Sequence, residues 1–238
     1  VNKTLKNPHE VIKTNTLLTM NILDWIKTNP IQRLLFASSS ENYACTSDLF
    51  NVEIPTNENV ALSISDIKHP RWTYAITKMH GESAFIHSAK SLNYDCTIVR
   101  YQNIIGPDMG FGHAIPHIVE RFFKNTDALI NIYGHDQTRA FCYIDDAVQG
   151  TIKAMESKNG IGEIYHIGNQ QETTMSELTK YIGGIFKYNG RYKNAPTYPG
   201  SVDRRCPDIS KAKLDLNYTP TFHWKEAVKL TVNWYKEY

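Results

Sequence analysis

His69–Asn103 reads HPRWTYAITKMHGESAFIHSAKSLNYDCTIVRYQN and holds two elements in succession. From about Arg71 to Leu92 the segment reads as a helix, with Pro70 near its start, where a missing backbone N–H costs nothing. "DCTIVRYQN" then reads as a strand, rich in residues that suit a pleated, buried surface. Working upstream, "IQRLLFASSS" reads as a short buried strand over Arg33–Ala37 that ends in small polar residues. Before it, Val11, Ile12, Leu17, Leu18, Ile22, Leu23 and Ile26 recur at helical spacing between Pro8 and about Thr28. Residues 41–69 read as a long loop. Helix, strand, loop, helix, strand is the alternation of an α/β fold with a parallel sheet.

Downstream of Gly106 the elements are shorter. "HAIPHIVERFF" predicts a helix despite Pro116, and "INIY" and "RAFCYI" predict short strands around a turn at Gly134. "DDAVQGTIKAME" predicts a helix with Asp145 and Asp146 in its first turn, where they favour the dipole. "EIYHIGN" reads as a strand, and "TMSELTKYIGGIF" as a helix capped by Thr174 or Ser176. "PDISKAKLDL" and "WKEAVKLTVNWYKEY" close the chain as helices. The second half therefore reads as a smaller α/β lobe with excursions interleaved.

The composition narrows the functional classes. Its 238 residues suffice for one sizeable core or one large and one small lobe. Hydrophobic residues make up 41% and charged residues 21%, as in ordinary soluble domains. A net charge of +2 gives no basis for binding nucleic acid or an anionic membrane. No apolar run reaches the length of a membrane span, and the first residues lack a signal-peptide pattern, which predicts a cytoplasmic protein. Cys45, Cys96, Cys142 and Cys206 are far apart and contain no CxxC, so they read as reduced thiols and predict no metal site.

Tyr74 and Lys78 are four residues apart, one turn of the same helix face. A tyrosine alone is a poor base at neutral pH, with a pKa near ~10. A neighbouring ammonium favours the phenolate and predicts a lowered pKa. Such a pair could take a proton from a sugar hydroxyl. The alternative is two ordinary residues on a helix. Ser38, Ser39 and Ser40 end the preceding strand, and the carboxyl ends of parallel strands are where such sheets bind ligands. They could place a hydroxyl beside Tyr74, or simply begin a polar loop.

Six collinear segments resemble the extended short-chain dehydrogenase/reductase family of nucleotide-sugar epimerases, dehydratases and decarboxylases. "KTNTLLTMNIL" resembles the helix before the active-site strand. "LLFASSSENYA" is similar to that strand, and "PRWTYAITKMHGE" to the YxxxK helix. "RYQNIIGPDM", "GHDQTRAFCYIDDAV" and "RRCPDISKAKLDLNYTP" resemble three further family segments. The resemblance implies an incomplete Rossmann-like, doubly wound parallel sheet with a smaller C-terminal substrate lobe. Residues 1–108 would be the C-terminal portion of an NAD-binding domain. Residues 109–238 would be mainly a nucleotide-sugar lobe, with about 130–168 partly returning to the sheet. It further implies NAD as cofactor, a nucleoside-diphosphate sugar as substrate, and a homodimer. The dimer would pair the YxxxK helix and its preceding neighbour, with Ile76, Met79, Ala84, Phe85 and Ile86 either on that face or in the core.

Site residues follow from the same resemblance. Tyr74 is implied as base, Lys78 as its tuner and ribose ligand, and Ser39 as the partner of the oxidised hydroxyl. Asn15, Ser38 and Tyr101 join Lys78 and Tyr74 on the cofactor side, although Asn15 also reads as a buried helix asparagine. Ser40, Asn103, Arg139, Arg205 and Asp208 are implied on the substrate side. Arginine suits a diphosphate because its planar fork meets phosphate oxygens in pairs. Surface solvation is the alternative for Arg139 and Arg205, and a helix cap for Asp208. Glu41 takes a position where the dehydratases and decarboxylases carry an acid. It would move a proton at C5 of a 4-keto sugar, or orient a carboxylate that leaves as carbon dioxide. Its alternative is an exposed loop acid.

Three features depart from the family pattern. Ala44 follows Tyr43 where glycine is usual, and Asp108 replaces a basic residue. No GxGxxG or GxxGxxG turn stands among Val1–Tyr238, so the chain is expected to be part of a longer protein. The alternative expectation is a nucleotide-sugar-binding subunit without redox chemistry.

Overall fold

The computed structural model describes residues 2–124, 129–197 and 201–237. In chain order the elements are α1 Asn2–Lys6, α2 Pro8–Thr28, β1 Arg33–Ser39, α3 Thr46–Phe50, α4 Trp72–Leu92, β2 Asp95–Tyr101, β3 Ile104–Ile105 and α5 Ala114–Lys124. They continue as β4 Ile130–Tyr133, β5 Thr138–Ala140, β6 Cys142–Tyr143, α6 Ile144–Glu156, β7 Ile164–Ile167 and β8 Glu172–Thr174. The last are α7 Met175–Ile185, β9 Tyr192–Ala195, β10 Arg204–Arg205, α8 Ser210–Leu216 and α9 Trp224–Glu237.

The central sheet has the order β1-β2-β7 and is parallel throughout. Its register pairs Ser39 with Tyr101 and Tyr101 with Ile167, so all three strands end at one edge. β2 is buried on both faces, as a strand covered on both sides must be. Cys96 and Ile98 pack with Ile26 of α2 and Phe85 of α4. Val99 packs with Ala147 and Ala154 of α6 and Ala212 of α8. A second core joins α5, α7 and α9 through Ile118, Phe122, Leu178, Ile182, Val228 and Val232. Burial of each such side chain contributes roughly 1.5–3 kcal/mol.

Local chemistry explains most element ends. α4 stops at Asn93, whose φ of 55° is left-handed, a conformation asparagine tolerates. α7 starts at Thr174 with a capping box: the Thr174 hydroxyl accepts from Glu177 N, and the Glu177 carboxylate accepts from Thr174 N. Of the two predicted caps, Thr174 is the one used.

Three parts differ from the sequence expectation. The loop 41–69 contains a 3-10 turn, Ser40–Tyr43, and then α3. The Thr46 hydroxyl donates to Ala61 O at 2.8 Å and thereby closes the loop on itself. "RAFCYI" is two strands. Ala140 pairs with Glu172 in β8, whereas Cys142 pairs with Ile104 in β3. Asn103 sits at the break: its Nδ2 donates to Ala140 O, and its carbonyl accepts from Cys142 N. "INIY" and the strand after Gly134 do not form a hairpin. β4 pairs with β9, and β5 lies between β10 and β8. β8, β9 and β10 are short and partly polar, which hides them from a hydrophobic pattern.

Candidate functional site

The site is built where β1 ends. Ser39 is the last residue of β1, and its hydroxyl accepts from Glu41 N at 3.2 Å, which starts the 3-10 turn. The same hydroxyl lies on the Tyr74 side, near enough to favour the ionised phenol. Tyr74 and Lys78 project from one face of α4. Lys78 Nζ donates to Ala37 O at 2.8 Å and lies 5.6 Å from the centre of the Tyr74 ring. Ser39, Tyr74 and Lys78 are therefore assembled together.

The lowered tyrosine pKa predicted from Lys78 is not what this structure gives. Burial pushes the Tyr74 phenol up, and the Glu41 carboxylate adds to the rise; the nearby Ser39 hydroxyl acts the other way. Burial also lowers Lys78, whose ammonium is bonded to a backbone carbonyl. Desolvation is the leading cause for both groups, which are half-buried.

Glu41 is an ion-paired acid, not an exposed loop acid. Its Oε1 lies 2.7 Å from Arg205 Nη1 and its Oε2 3.3 Å from Arg71 Nη2. Burial by itself would raise Glu41, but Arg205 and Arg71 prevail and hold it at about 2. Arg139 stands beside Arg205 in the β5–β10 register. Burial, Arg205 and Arg71 together lower Arg139 to about 10. Two guanidiniums hold one carboxylate and a third, Arg139, stands beside Arg205, an excess of positive charge that attracts a further anion.

Arg139 is anchored by the carbonyls of Thr138 and Val202 and by Ser201 Oγ. With Asn103 it lines a cavity of about 200 Å³, alongside His117, Tyr133, Gln137 and Thr197. Gly134 closes the turn beside it with φ of 58°, where an added Cβ would meet the Gln137 side chain.

The other predicted residues are placed elsewhere. Ser38 is buried and donates to Glu82 Oε1 at 2.5 Å, so its hydroxyl belongs to the interior. Ser40 is buried at the start of the 3-10 turn. The Tyr101 hydroxyl meets Thr151 Oγ1 at 2.7 Å on α6. Asn15 donates from Nδ2 to Thr77 Oγ1 at 2.8 Å, and Thr77 in turn donates to Tyr74 O, so Asn15 braces the Tyr74 turn from α2. Asp208 accepts from Ser210 N at 2.8 Å and so acts at the start of α8. Phe85, offered for a dimer face, is 1% exposed in the core.

Arg71 was not singled out from sequence. Its position three residues before Tyr74 places it within one turn of the same helix face, which is the signal that would have found it. Gln137 and His117 carried no such signal. The four cysteines are buried and unpaired. No group of three or more His, Cys, Asp or Glu suited to a metal occurs among the described residues. No helix among them is long and apolar enough to cross a membrane.

Known proteins are similar to this chain in sequence and fold. A UDP-N-acetyl-alpha-D-glucosaminuronate decarboxylase from Bacillus cytotoxicus is 32% identical over 247 residues, which span 100% of this chain and 74% of the relative. A crystal structure of UDP-glucose 4-epimerase with UDP-glucose from Thermotoga maritima superposes with a TM-score of 0.84 at 25% identity, covering 98% of this chain and 73% of the other. UDP-glucuronic acid 4-epimerase from Bacillus cereus, in complex with UDP-glucuronic acid and NAD, shares the fold with a TM-score of 0.75 at 24% identity; the match covers 94% and 67% of the two chains. The model of the NAD dependent epimerase/dehydratase family matches residues 1–168. A serine-ended parallel strand, the Tyr74–Lys78 helix face and these matches lead to one assignment: the chain belongs to the NAD dependent epimerase/dehydratase family.

Proposed function

We propose that the protein oxidises a nucleoside-diphosphate sugar at C4, with Tyr74 as the base. The observation that carries this is the assembly of Ser39, at the end of β1, with Tyr74 and Lys78 on one face of α4, the Lys78 ammonium lying 5.6 Å from the Tyr74 ring centre. Ser39 orients the C4 hydroxyl, and Tyr74 takes its proton as the 4-keto sugar forms. Tyr74 takes that proton as the phenolate, so its own phenolic proton must first pass to solvent, and Lys78 brings the positive charge that favours this ionised form. NAD, the family's cofactor, supplies the hydride acceptor when bound. The donor set fits its ribose end: Lys78 has spent one of three ammonium hydrogens on Ala37 O, and the Ser39 and Tyr74 hydroxyls adjoin it.

On the substrate side, Asn103 and Arg139 hold the nucleotide end in the 200 Å³ cavity they line. Arg205 and Arg71 meet a negative group on the sugar. Support for a uronate, and so for a decarboxylase over a dehydratase or 4-epimerase, comes from two observations. One is the excess of guanidinium over carboxylate around Glu41. The other is the 32% identity to a decarboxylase. A carboxylate held at about 2 is a weak base, which disfavours Glu41 as the group that removes a C5 proton. It orients the arginines instead. A homodimer accords with the apolar stripe on α2, where Leu18, Ile22 and Trp25 are 55%, 40% and 55% exposed.

The test is turnover of a panel of sugar nucleotides with NAD, read by product mass, for the protein and for Tyr74→Phe. Loss of turnover by about 100-fold or more with retained nucleotide-sugar affinity is expected. Undiminished turnover in Tyr74→Phe overturns the proposal.

A further inference from the structure

Glu82 has no part in the chemistry described so far, yet it is the most heavily bonded carboxylate near the site. It stands on α4 one turn beyond Lys78 and two turns beyond Tyr74, and is 4% exposed. Its Oε1 accepts from Ser38 Oγ at 2.5 Å, from Asn42 Nδ2 at 2.8 Å and from Arg100 Nε at 2.9 Å. Its Oε2 accepts from Arg100 Nη2 at 2.7 Å. Three elements meet at this one carboxylate: the end of β1, the 3-10 turn and the central strand β2.

The positions of the donors matter more than their number. Ser38 immediately precedes Ser39, and Asn42 immediately follows Glu41. Asn42 Nδ2 also reaches Ser38 Oγ at 3.1 Å, which closes a ring of bonds across the segment. The stretch Ser39–Glu41 is thereby pinned at both ends to the helix that carries Tyr74 and Lys78. Arg100 fixes that helix against β2 with a bidentate pair, and its Nη1 donates to Glu58 O at 2.9 Å. A buried carboxylate is costly unless charged and hydrogen-bonded partners surround it, and here they do.

We propose that Glu82 is a positioning residue that sets the Ser39 hydroxyl and the Glu41 carboxylate against Tyr74, through Ser38 and Asn42. It touches neither substrate nor cofactor. The inference rests on the function proposed above, since it concerns the placement of that site's groups. Misplacing a reacting group by about 1 Å costs up to 100-fold in rate while leaving binding largely intact.

The experiment compares the unaltered protein, Asn42→Ala, Glu82→Gln and the double variant in the sugar-nucleotide assay with NAD, alongside thermal melting. Asn42→Ala keeps the Glu82–Arg100 pair, so it remains folded even if Glu82→Gln does not. For Asn42→Ala we expect kcat to fall about 10-fold or more, KM to change less than 3-fold, and the melting curve to stay cooperative. Where Glu82→Gln folds, the double variant is expected to lose no more than Glu82→Gln alone, because both changes act through one carboxylate. An unchanged kcat in Asn42→Ala, or a loss confined to KM, overturns the positioning role and leaves the proposed function standing. Absence of turnover in the unaltered protein overturns the proposed function, and this inference with it.

Discussion

Arg205 Nη1 lies 2.7 Å from Glu41 Oε1, across 164 residues of sequence, and this ion pair joins β10 to the turn that follows β1. It makes one carboxylate the centre of a cluster with Arg71 and, beside Arg205 in the sheet register, Arg139.

Glu41→Gln removes the charge those arginines face. We expect a loss of about 2 kcal/mol in unfolding free energy at pH 7, read by urea denaturation. Glu41 is held at about 2 in the folded chain against 4.5 unperturbed. Its contribution is therefore complete above pH 4.5 and disappears as pH falls toward 2. The gap between the two proteins should narrow only below pH 4.5. A gap that closes between pH 8 and 6 would contradict the assignment to Glu41.

His166 gives a second acid sensitivity at a higher pH. Burial, and then the Arg100 charge, lower it from 6.5 to about 3. Its ring accordingly stays neutral in the folded chain while the unfolded chain takes up a proton below pH 6.5. This part of the stability is complete above pH 6.5 and is lost as pH falls toward 3, by up to about 1.4 kcal/mol per pH unit. His166→Asn should flatten the slope of unfolding free energy between pH 6 and 5. An identical slope in both proteins would show that other groups set it.

Gly81 lies one turn before Phe85 on α4, and a Cβ there would overlap the Phe36 ring of β1. Phe36 also carries the Lys78 ammonium 5.0 Å from its ring centre. Gly81→Ala gains helix propensity but overpacks this contact, so a net destabilisation of about 1–3 kcal/mol is expected. The matching functional outcome is a lower kcat, because the ring that seats Lys78 must move. A protein that melts higher than the parent would show that Phe36 yields without cost.

Thr174→Ala removes one half of the capping box on α7. A cost of about 1 kcal/mol is expected, because α7 supports the second core. Chemical denaturation with an unchanged m-value would check it.

The sequence by itself determined the alternation of α2, β1, α4 and β2, because a long helical apolar period and short strand-forming runs are local properties. It determined that Tyr74 and Lys78 share a helix face, since four residues make about one turn. It also supplied the Thr174 cap and the serines at the end of β1. Only the tertiary structure decided which serine faces Tyr74. Ser39 and Ser38 are neighbours, yet Ser38 bonds Glu82 whereas the Ser39 hydroxyl accepts from Glu41 N at the start of the 3-10 turn and lies toward Tyr74, a choice set by how α4 packs across the end of β1. The split of "RAFCYI" between two sheets depends on Asn103, and the pairing of Arg139 with Arg205 depends on two short polar strands whose partners are remote. The direction of the Tyr74 pKa was likewise a tertiary matter. Helix spacing fixes that an ammonium is near, whereas burial and the arrival of Glu41 from another element fix the sign.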